Sequence, residues 1–437
     1  MKIKRIALGT AAVLAATLVV AGGGAYLWAE RHDSLDAIDP PDAASFDSEL
    51  IDRGETLAAA GFCASCHTRS SAEPYAGGRP METPFGVVHA TNITPDPETG
   101  IGRWSADAFR RAMHQGIRRD GAYLYPVFPY DHFTRITDDD IDALYAYFMT
   151  RKPVEQATPE NGLSFPFNVR TLLAGWTLLY LDEGRFEPDP DRDDEWNRGA
   201  YLVEGLGHCG ACHTPRNDFG AVNEDARFTG ARVDGWYATP LIPHSPAPVP
   251  WSEFGMVNYL IDGWDMDYGI ANGPMQPVVN SLARLPEDDV YAISTYLLSF
   301  QDDESDVSRD DLLADAEARA FADDRVPEDE RLEEGPLRRG QQRFADSCAN
   351  CHRSVSDTAP LALLSSVQGD DPINLINAII DGVEPPDGVP NKSMPGFSSM
   401  PDDEISDLVA FIRHHFTDEP AWENVSDAIA ESRRNFQ

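Results

Sequence analysis

The chain has 437 residues, 42% of them apolar, enough for about two to four domains with buried cores and too apolar for a disordered protein. Its 35 basic residues face 73 acidic ones, a formal charge of −38, which excludes nucleic acid as a partner because phosphates need a basic face. Two readings of the acidity stay open: a solvated skin suited to high salt, or a docking surface for a basic partner.

The first element in chain order is apolar. Lys2, Lys4 and Arg5 precede Ile6–Ala29, 24 residues without a formal charge. About 20 such residues cross a bilayer as a helix, and a basic flank holds the N-terminus on the cytoplasmic side. Tyr26 and Trp28 fall where an interfacial aromatic belt lies. The alternative is a cleaved signal peptide, with an apolar core at Ile6–Val20 and small residues from Ala21 to Ala25. The favoured expectation is a retained anchor over residues 1–30, a single transmembrane helix in the cytoplasmic (inner) membrane. Residues 31–437 then lie on the periplasmic side.

From residue 45 onward the chain repeats itself three times. Each repeat opens with a helical stretch that begins Arg-Gly, at Arg53 ("RGETLAAAGF"), Arg198 ("RGAYLVEGLGH") and Arg339 ("RGQQRFADS"). Then comes Cys-x-x-Cys-His: Cys63-Ala-Ser-Cys66-His67, Cys209-Gly-Ala-Cys212-His213 and Cys348-Ala-Asn-Cys351-His352, which together use all six cysteines. This is the attachment signature of c-type haem. Two thiols three positions apart reach the two vinyl groups of one porphyrin as thioethers, and the adjoining histidine coordinates the iron. A zinc site needs further Cys or His at matching offsets in every repeat, and none exist. A thioredoxin-like pair needs no following histidine. The expectation is three covalent haem c groups, with His67, His213 and His352 as proximal axial ligands.

An apolar helix ending in glycine follows each motif: "FRRAMHQG" to Gly116, "MVNYLIDG" to Gly263 and "LINAIIDG" to Gly382. A last helix opens on Thr or Pro and then acids, residues that suit a first turn: "TDDDIDALYAYFM", "PEDDVYAISTYLL" and "PDDEISDLVAFIR". The apolar positions recur at helical spacing, so the expected fold is all-α: three tandem cytochrome c domains behind the N-terminal transmembrane helix. Their expected bounds are 45–155, 191–300 and 336–418. Residues 156–190 are a linker with an apolar helix at "VRTLLAGWTLLYL", too short to span a membrane. Residues 301–335, with fifteen acidic and four basic residues, are a solvated linker with a short helix at Asp311–Ala322; 419–437 is a tail.

Counting from the middle helix locates the second axial ligand. Met275 lies twelve residues after Gly263 and Met394 twelve after Gly382, so these are the expected distal ligands, whose thioethers raise the reduction potential. Met256, Met266 and Met400 read as packing residues, and His89 and His208 as ordinary loop histidines. Twelve residues after Gly116 stands Phe128, in "LYPVFPYDHF", which cannot ligate. His132, four residues on, is the leading candidate for the first iron. A vacant or water-filled site, His114, Met81 and Met113 stay open.

With these residues in place, the chain resembles the membrane-anchored, triple-haem cytochrome c subunits of bacterial periplasmic dehydrogenases. The resemblance runs from about Ser45 to Phe416 and is densest at "TPFGVVHATNITPDPETGIG", "LYPVFPY" and "EWNRGAYLVEGLGHCGACHTPRN". It implies that this chain is not the catalyst. A partner subunit with a quinone, flavin or molybdenum cofactor oxidises an alcohol, aldehyde, sugar acid or N-heterocycle. The cytochrome passes the electrons to membrane quinone or to a terminal oxidase or cytochrome. Alcohol-dehydrogenase cytochromes carry "YPAMPY" where this chain has Phe128. Its "FPYDHFT" and "FPFNVRTLLAGW" are more similar to cytochromes paired with molybdenum hydroxylases of aldehydes or N-heterocycles. Rival functions are a stand-alone multihaem carrier, and a haem enzyme or gas sensor with an open first iron.

Overall fold

Several helices of this chain begin where a side chain accepts a free N–H group of the first turn. A computed structural model describes residues 32–70, 72–241, 245–301, 308–319, 332–353, 358–389 and 392–436. The chain divides into two compact units, one formed by residues through Ala58 with Cys66–Phe186, the other by Ala59–Ser65 with Glu187–Gln437.

In the first unit the helices are α1 (Ser48–Ala60, to residue 58), α2 (Ala106–Gln115), α3 (Asp138–Met149) and α4 (Leu173–Tyr180). The Ser105 hydroxyl caps α2 by accepting from Ala108 N, and Thr137 caps α3 by accepting from Asp140 N. Gly116 ends α2 in the left-handed region at φ 64°, where glycine meets no Cβ penalty. The second unit repeats the scheme with α5 (Asp194–Tyr201), α6 (Glu253–Asp262) and α7 (Glu287–Leu298), then α8 (Pro336–Ser347), α9 (Ile373–Ile380) and α10 (Asp402–Phe416). Gly263 and Gly382 end their helices with φ 66° and 91°.

The recurring Arg-Gly pair has a packing cause. A Cβ on Gly54 would lie 2.0 Å from the Ala143 carbonyl oxygen, on Gly199 1.9 Å from that of Ala292, and on Gly340 2.0 Å from that of Asp407. Only glycine lets the opening and closing helices of each repeat approach this closely. The adjoining arginines pair with acids on the closing helix: Arg53 with Asp140, Arg198 with Asp289, Arg339 with Asp407. These pairs are partly solvated and contribute about 0–1 kcal/mol each, so they align the crossing more than they stabilise it. The third repeat's core gathers Phe344, Ile373, Ile376, Ile405, Val409 and Phe411, all fully buried. Each such side chain contributes about 1.5–3 kcal/mol.

The all-α expectation is corrected by three small antiparallel sheets among the described residues. In the first unit β1 (Pro80–Thr83) pairs with β2 (Gly86–His89), which pairs with β3 (Gly162–Leu163). In the second, β4 (Ala231–Val233) pairs with β5 (Trp236–Ala238), and β6 (Trp264–Asp265) with β7 (Gly269–Ile270). The physical reason lies in the turns. Asp234-Gly235 joins β4 to β5 with φ 49° and 73°, the two-residue primed turn that matches strand twist.

The transmembrane expectation is corrected too. No helix among the described residues is long and apolar enough to cross a membrane. The longest, α10, has 15 residues and opens on three acids, whereas a span needs about 20 apolar ones. The segment to which the anchor was assigned, residues 6–29, lies outside the described residues. The single-anchor, inner-membrane localisation is therefore not supported.

Between the repeats, α4 buries Ala174 and Trp176, while Leu178 and Leu179 stay exposed. The acidic linker forms a helix at Arg309–Ala318, capped by Ser308, slightly earlier than the composition suggested.

His114 is buried in the first unit, with its Nε2 donating to the Ile136 carbonyl at 3.0 Å. Burial, reinforced by Arg185, pushes its pKa from 6.5 down to about 4 against the opposing pull of Asp138. Below pH 6.5 the unfolded chain therefore binds a proton that the folded chain refuses until about pH 4. The stability this site contributes is present above that window and falls as pH drops through it, by ~3 kcal/mol at ~1.4 kcal/mol per unit. Urea unfolding at pH 7 and pH 4.5 should show this acid loss shrinking in His114→Gln. An unchanged pH slope in the variant would assign the loss to other groups.

Candidate haem sites

Each Cys-x-x-Cys-His segment forms a helical turn, with the histidine N–H bonded to the first cysteine's carbonyl at 3.0 Å for His213 and 2.9 Å for His352, and Cys63–His67 helical throughout. Positions i, i+3 and i+4 of a helix share one face, so both sulfurs and the imidazole point the same way. Such a face suits one planar macrocycle.

The imidazoles are oriented from behind. His67 Nδ1 donates to the Thr91 carbonyl at 2.6 Å, and His213 Nδ1 to the Thr239 carbonyl at 2.7 Å. A carbonyl can only accept, so Nδ1 carries the hydrogen and Nε2 the lone pair, as a metal-ligating histidine requires. Burial lowers both pKa values, which keeps the rings neutral. The acceptors were not foreseen from sequence. Thr91 lies two residues past the end of β2 and Thr239 one past β5, so the two hairpins have a purpose: they deliver a backbone carbonyl to the histidine. In both repeats a second bond ties the same histidine's own carbonyl to a glycine, Gly77 N at 2.7 Å and Gly230 N at 2.9 Å. The loop "TNITPDPETGIG" thereby acquires a role through its first residue. Buried Asn92 stiffens it, donating through Nδ2 to the Val154 carbonyl at 2.7 Å.

The third site differs. His352 Nδ1 is buried without a hydrogen-bond partner among the described residues, and no strand pair follows its motif there.

At two of the cysteines the environment favours a neutral sulfur. Burial pushes the Cys209 and Cys348 thiols up to about 12. A zinc-binding thiolate needs the opposite shift, whereas a thioether carries no charge to desolvate. The residues present fit covalent haem.

The methionine register is visible in the backbone. Leu124 N bonds to Gly116 O at 2.6 Å and Ala271 N to Gly263 O at 2.8 Å, each eight residues past its glycine. Four residues further on, Phe128 N bonds to Tyr125 O and Met275 N to Asn272 O in the same pattern. Phe128 and Met275 thus stand at equivalent positions, and the Phe128 ring packs on Phe133, centroids 5.2 Å apart. Met394 is reached by another route, through a reciprocal pair of backbone bonds with Val383, both 2.9 Å. Within the second unit the two methionine loops adjoin. Gln276 Nε2 donates to the carbonyls of Glu384 at 3.1 Å and Pro385 at 3.2 Å.

Of the other candidates for the first iron, His132 sits on the short helix Tyr130–Phe133. His114 is engaged by Ile136, Met113 is buried in the core, and Met81 lies on β1 opposite Val88. Met256 and Met400 are buried, but Met266 is 41% exposed and is not a packing residue.

The family model for cytochrome c matches residues 51–152 and 337–416. The chain is also 36% identical over 386 residues to the gluconate 2-dehydrogenase cytochrome c subunit of Pantoea cypripedii, covering 83% of this chain and 85% of that one. This chain belongs to the cytochrome c family. The cytochrome is 44% identical over 408 residues, 91% of its length, to a nicotinate dehydrogenase subunit of Pseudomonas putida, but spans only 33% of that longer protein. To the cytochrome c subunit of the quinone alcohol dehydrogenase of Gluconacetobacter polyoxogenes it is 36% identical, covering 85% of this chain and 81% of that one. Membership implies covalently bound haem c.

Proposed function

We propose that this cytochrome is the electron-transfer subunit of a dehydrogenase complex, carrying three covalent haems in domains at 45–155, 191–300 and 336–418. The observation that carries the reading is the repeated site: three Cys-x-x-Cys-His turns, with His67 and His213 held by the same Nδ1-to-carbonyl bond. Haem supplies one-electron uptake and release at iron. The chain's own residues do the rest. Cys63/Cys66, Cys209/Cys212 and Cys348/Cys351 attach the groups, and His67, His213 and His352 face the irons. Met275 and Met394 are the distal ligands of the second and third haems. At the first, Phe128 fills the equivalent position and His132 is the candidate ligand. Burial in apolar surroundings and the choice of axial ligand set the potentials.

The dehydrogenase partner is supported by the relatives, which are named as cytochrome subunits of gluconate and alcohol dehydrogenases. The relative named for nicotinate favours a partner acting on an N-heterocycle, in keeping with Phe128 and "FPFNVRTLLAGW". A quinone or a terminal oxidase or cytochrome then takes the electrons.

The test is a pyridine haemochrome assay after acid–acetone extraction, joined to substrate assays on the isolated chain. Three haems per chain and no oxidation of alcohol, aldehyde or nicotinate are expected. One or two haems would refute the count, and turnover by the chain alone would refute the role.

A further inference from the structure

The carbonyls of Thr91 and Thr239 receive His67 and His213, and something must fix their reach. In each repeat the amide two residues before the threonine is held by an asparagine carboxamide. Asn161 Oδ1 accepts from His89 N at 2.9 Å, and Asn374 Oδ1 accepts from Tyr237 N at 2.9 Å. Both asparagines come from outside the hairpin they hold. Asn161 stands just before β3 within the first unit, and Asn374 lies on α9, in the third repeat, within the second unit.

Strand geometry explains why this amide needs a partner. In an antiparallel pair alternate residues turn their N–H and C=O toward the partner strand, and the others face outward. Tyr237 lies opposite Arg232, between the pairs Val233–Trp236 and Ala231–Ala238. The two-residue turn makes Val233–Trp236 a bonded pair, so Tyr237 presents both its backbone groups to the open edge. Asn374 satisfies the two together, because its Nδ2 donates to the Tyr237 carbonyl at 2.7 Å. The same edge is secured at two further points. Asn377 Nδ2 donates to the Gly235 carbonyl at 3.0 Å, and the Arg232 guanidinium donates to both Asp371 carboxylate oxygens at 2.7 and 2.8 Å. The third repeat has no strand pair after its motif among the described residues, and there His352 Nδ1 has no acceptor.

We propose that Asn161 and Asn374 are positioning residues, each fixing the strand end whose carbonyl receives a haem-binding histidine, so that the second haem is tuned from the third repeat. The inference rests on the reading that these motifs hold haem. A carbonyl that accepts from Nδ1 raises the basicity of the imidazole, and a more basic imidazole favours ferric iron. Loosening the carbonyl therefore raises the potential of the haem it serves.

The test uses the full haem-loaded chain with Asn161→Ala or Asn374→Ala. Both asparagines are half-buried, so water can reach the vacated amide and the fold is retained, which urea unfolding checks. Redox titration joined to electron paramagnetic resonance of the ferric haems gives the readout. Asn374→Ala should raise chiefly the second potential and move that haem's g-values. Asn161→Ala should do the same chiefly for the first haem, and the third should hold in both. Chains with Cys63→Ser and Cys66→Ser, or Cys209→Ser and Cys212→Ser, identify the first and second potentials by removing them. Lower stability with unmoved potentials and spectra would reduce the asparagines to fasteners of the fold and overturn the proposal, as would equal shifts of all three haems. A chain that keeps three haems after either cysteine pair is replaced overturns the underlying reading instead.

Discussion

Met275→His and Met394→His should each lower the reduction potential of one haem by on the order of 0.2 V, a fraction of the ~0.8 V that axial ligands span. A thioether is a soft, weak donor that favours ferrous iron, and imidazole is a stronger donor that favours ferric iron. Met275 opens the helix Met275–Leu282, and Met394 is pinned by its reciprocal backbone bonds to Val383, so both positions are held by main chain rather than by their own side chains. A substituted imidazole therefore starts from the same place. The measurement is a spectroscopic redox titration, with the methionine-to-iron charge-transfer band followed in parallel. Each substitution should remove part of that band and shift chiefly one haem. An unmoved titration with an intact band in either variant would sink that ligand assignment. Because Gln276 bonds to the backbone beside Val383, a small secondary shift of the other haem is also expected.

Gly199→Ala should cost about 3 kcal/mol, the upper end of overpacking penalties, because the added methyl meets backbone rather than a flexible side-chain tip. Its Cβ would lie 1.9 Å from the Ala292 carbonyl oxygen and 2.8 Å from the Tyr296 Cβ. Helices α5 and α7 would have to part, and α5 runs on through Leu202–Leu206 toward Cys209. Separation at the crossing therefore reaches the Cys209–His213 segment. Gly175→Ala is the control. A Cβ there meets nothing within 4 Å, so removing a glycine from α4 should leave stability unchanged or raise it by up to about 1 kcal/mol. Thermal or urea unfolding of both variants decides the matter. Equal stabilities would mean that the Arg-Gly crossing is not a close contact in solution.

The acidic first turns of the closing helices and the left-handed glycines after the middle helices were legible because each is enforced by residues within one or two turns; the Arg-Gly openings were legible as a repeat, but their packing against the closing helix was not. The hairpins were missed although Asp234-Gly235 announces one. The intervening strands are two to four residues long and leave no periodic trace in a helical background. Met266 was misjudged for a related reason. A methionine near a core helix is apolar in composition, but whether it is covered depends on what folds over it.

The haem chemistry lies in the chain itself, since thiol, thiol and imidazole at positions i, i+3 and i+4 form one reactive face wherever a helical turn forms. The twelve-residue count to Met275, Met394 and Phe128 is local in the same sense. What orients the two histidines is not local. The acceptors for His67 and His213 are main-chain carbonyls of Thr91 and Thr239, 24 and 26 residues away, and a carbonyl has no residue type by which to recognise it. Tertiary structure alone decided these features, because backbone groups acquire their roles only from the path of the chain between them.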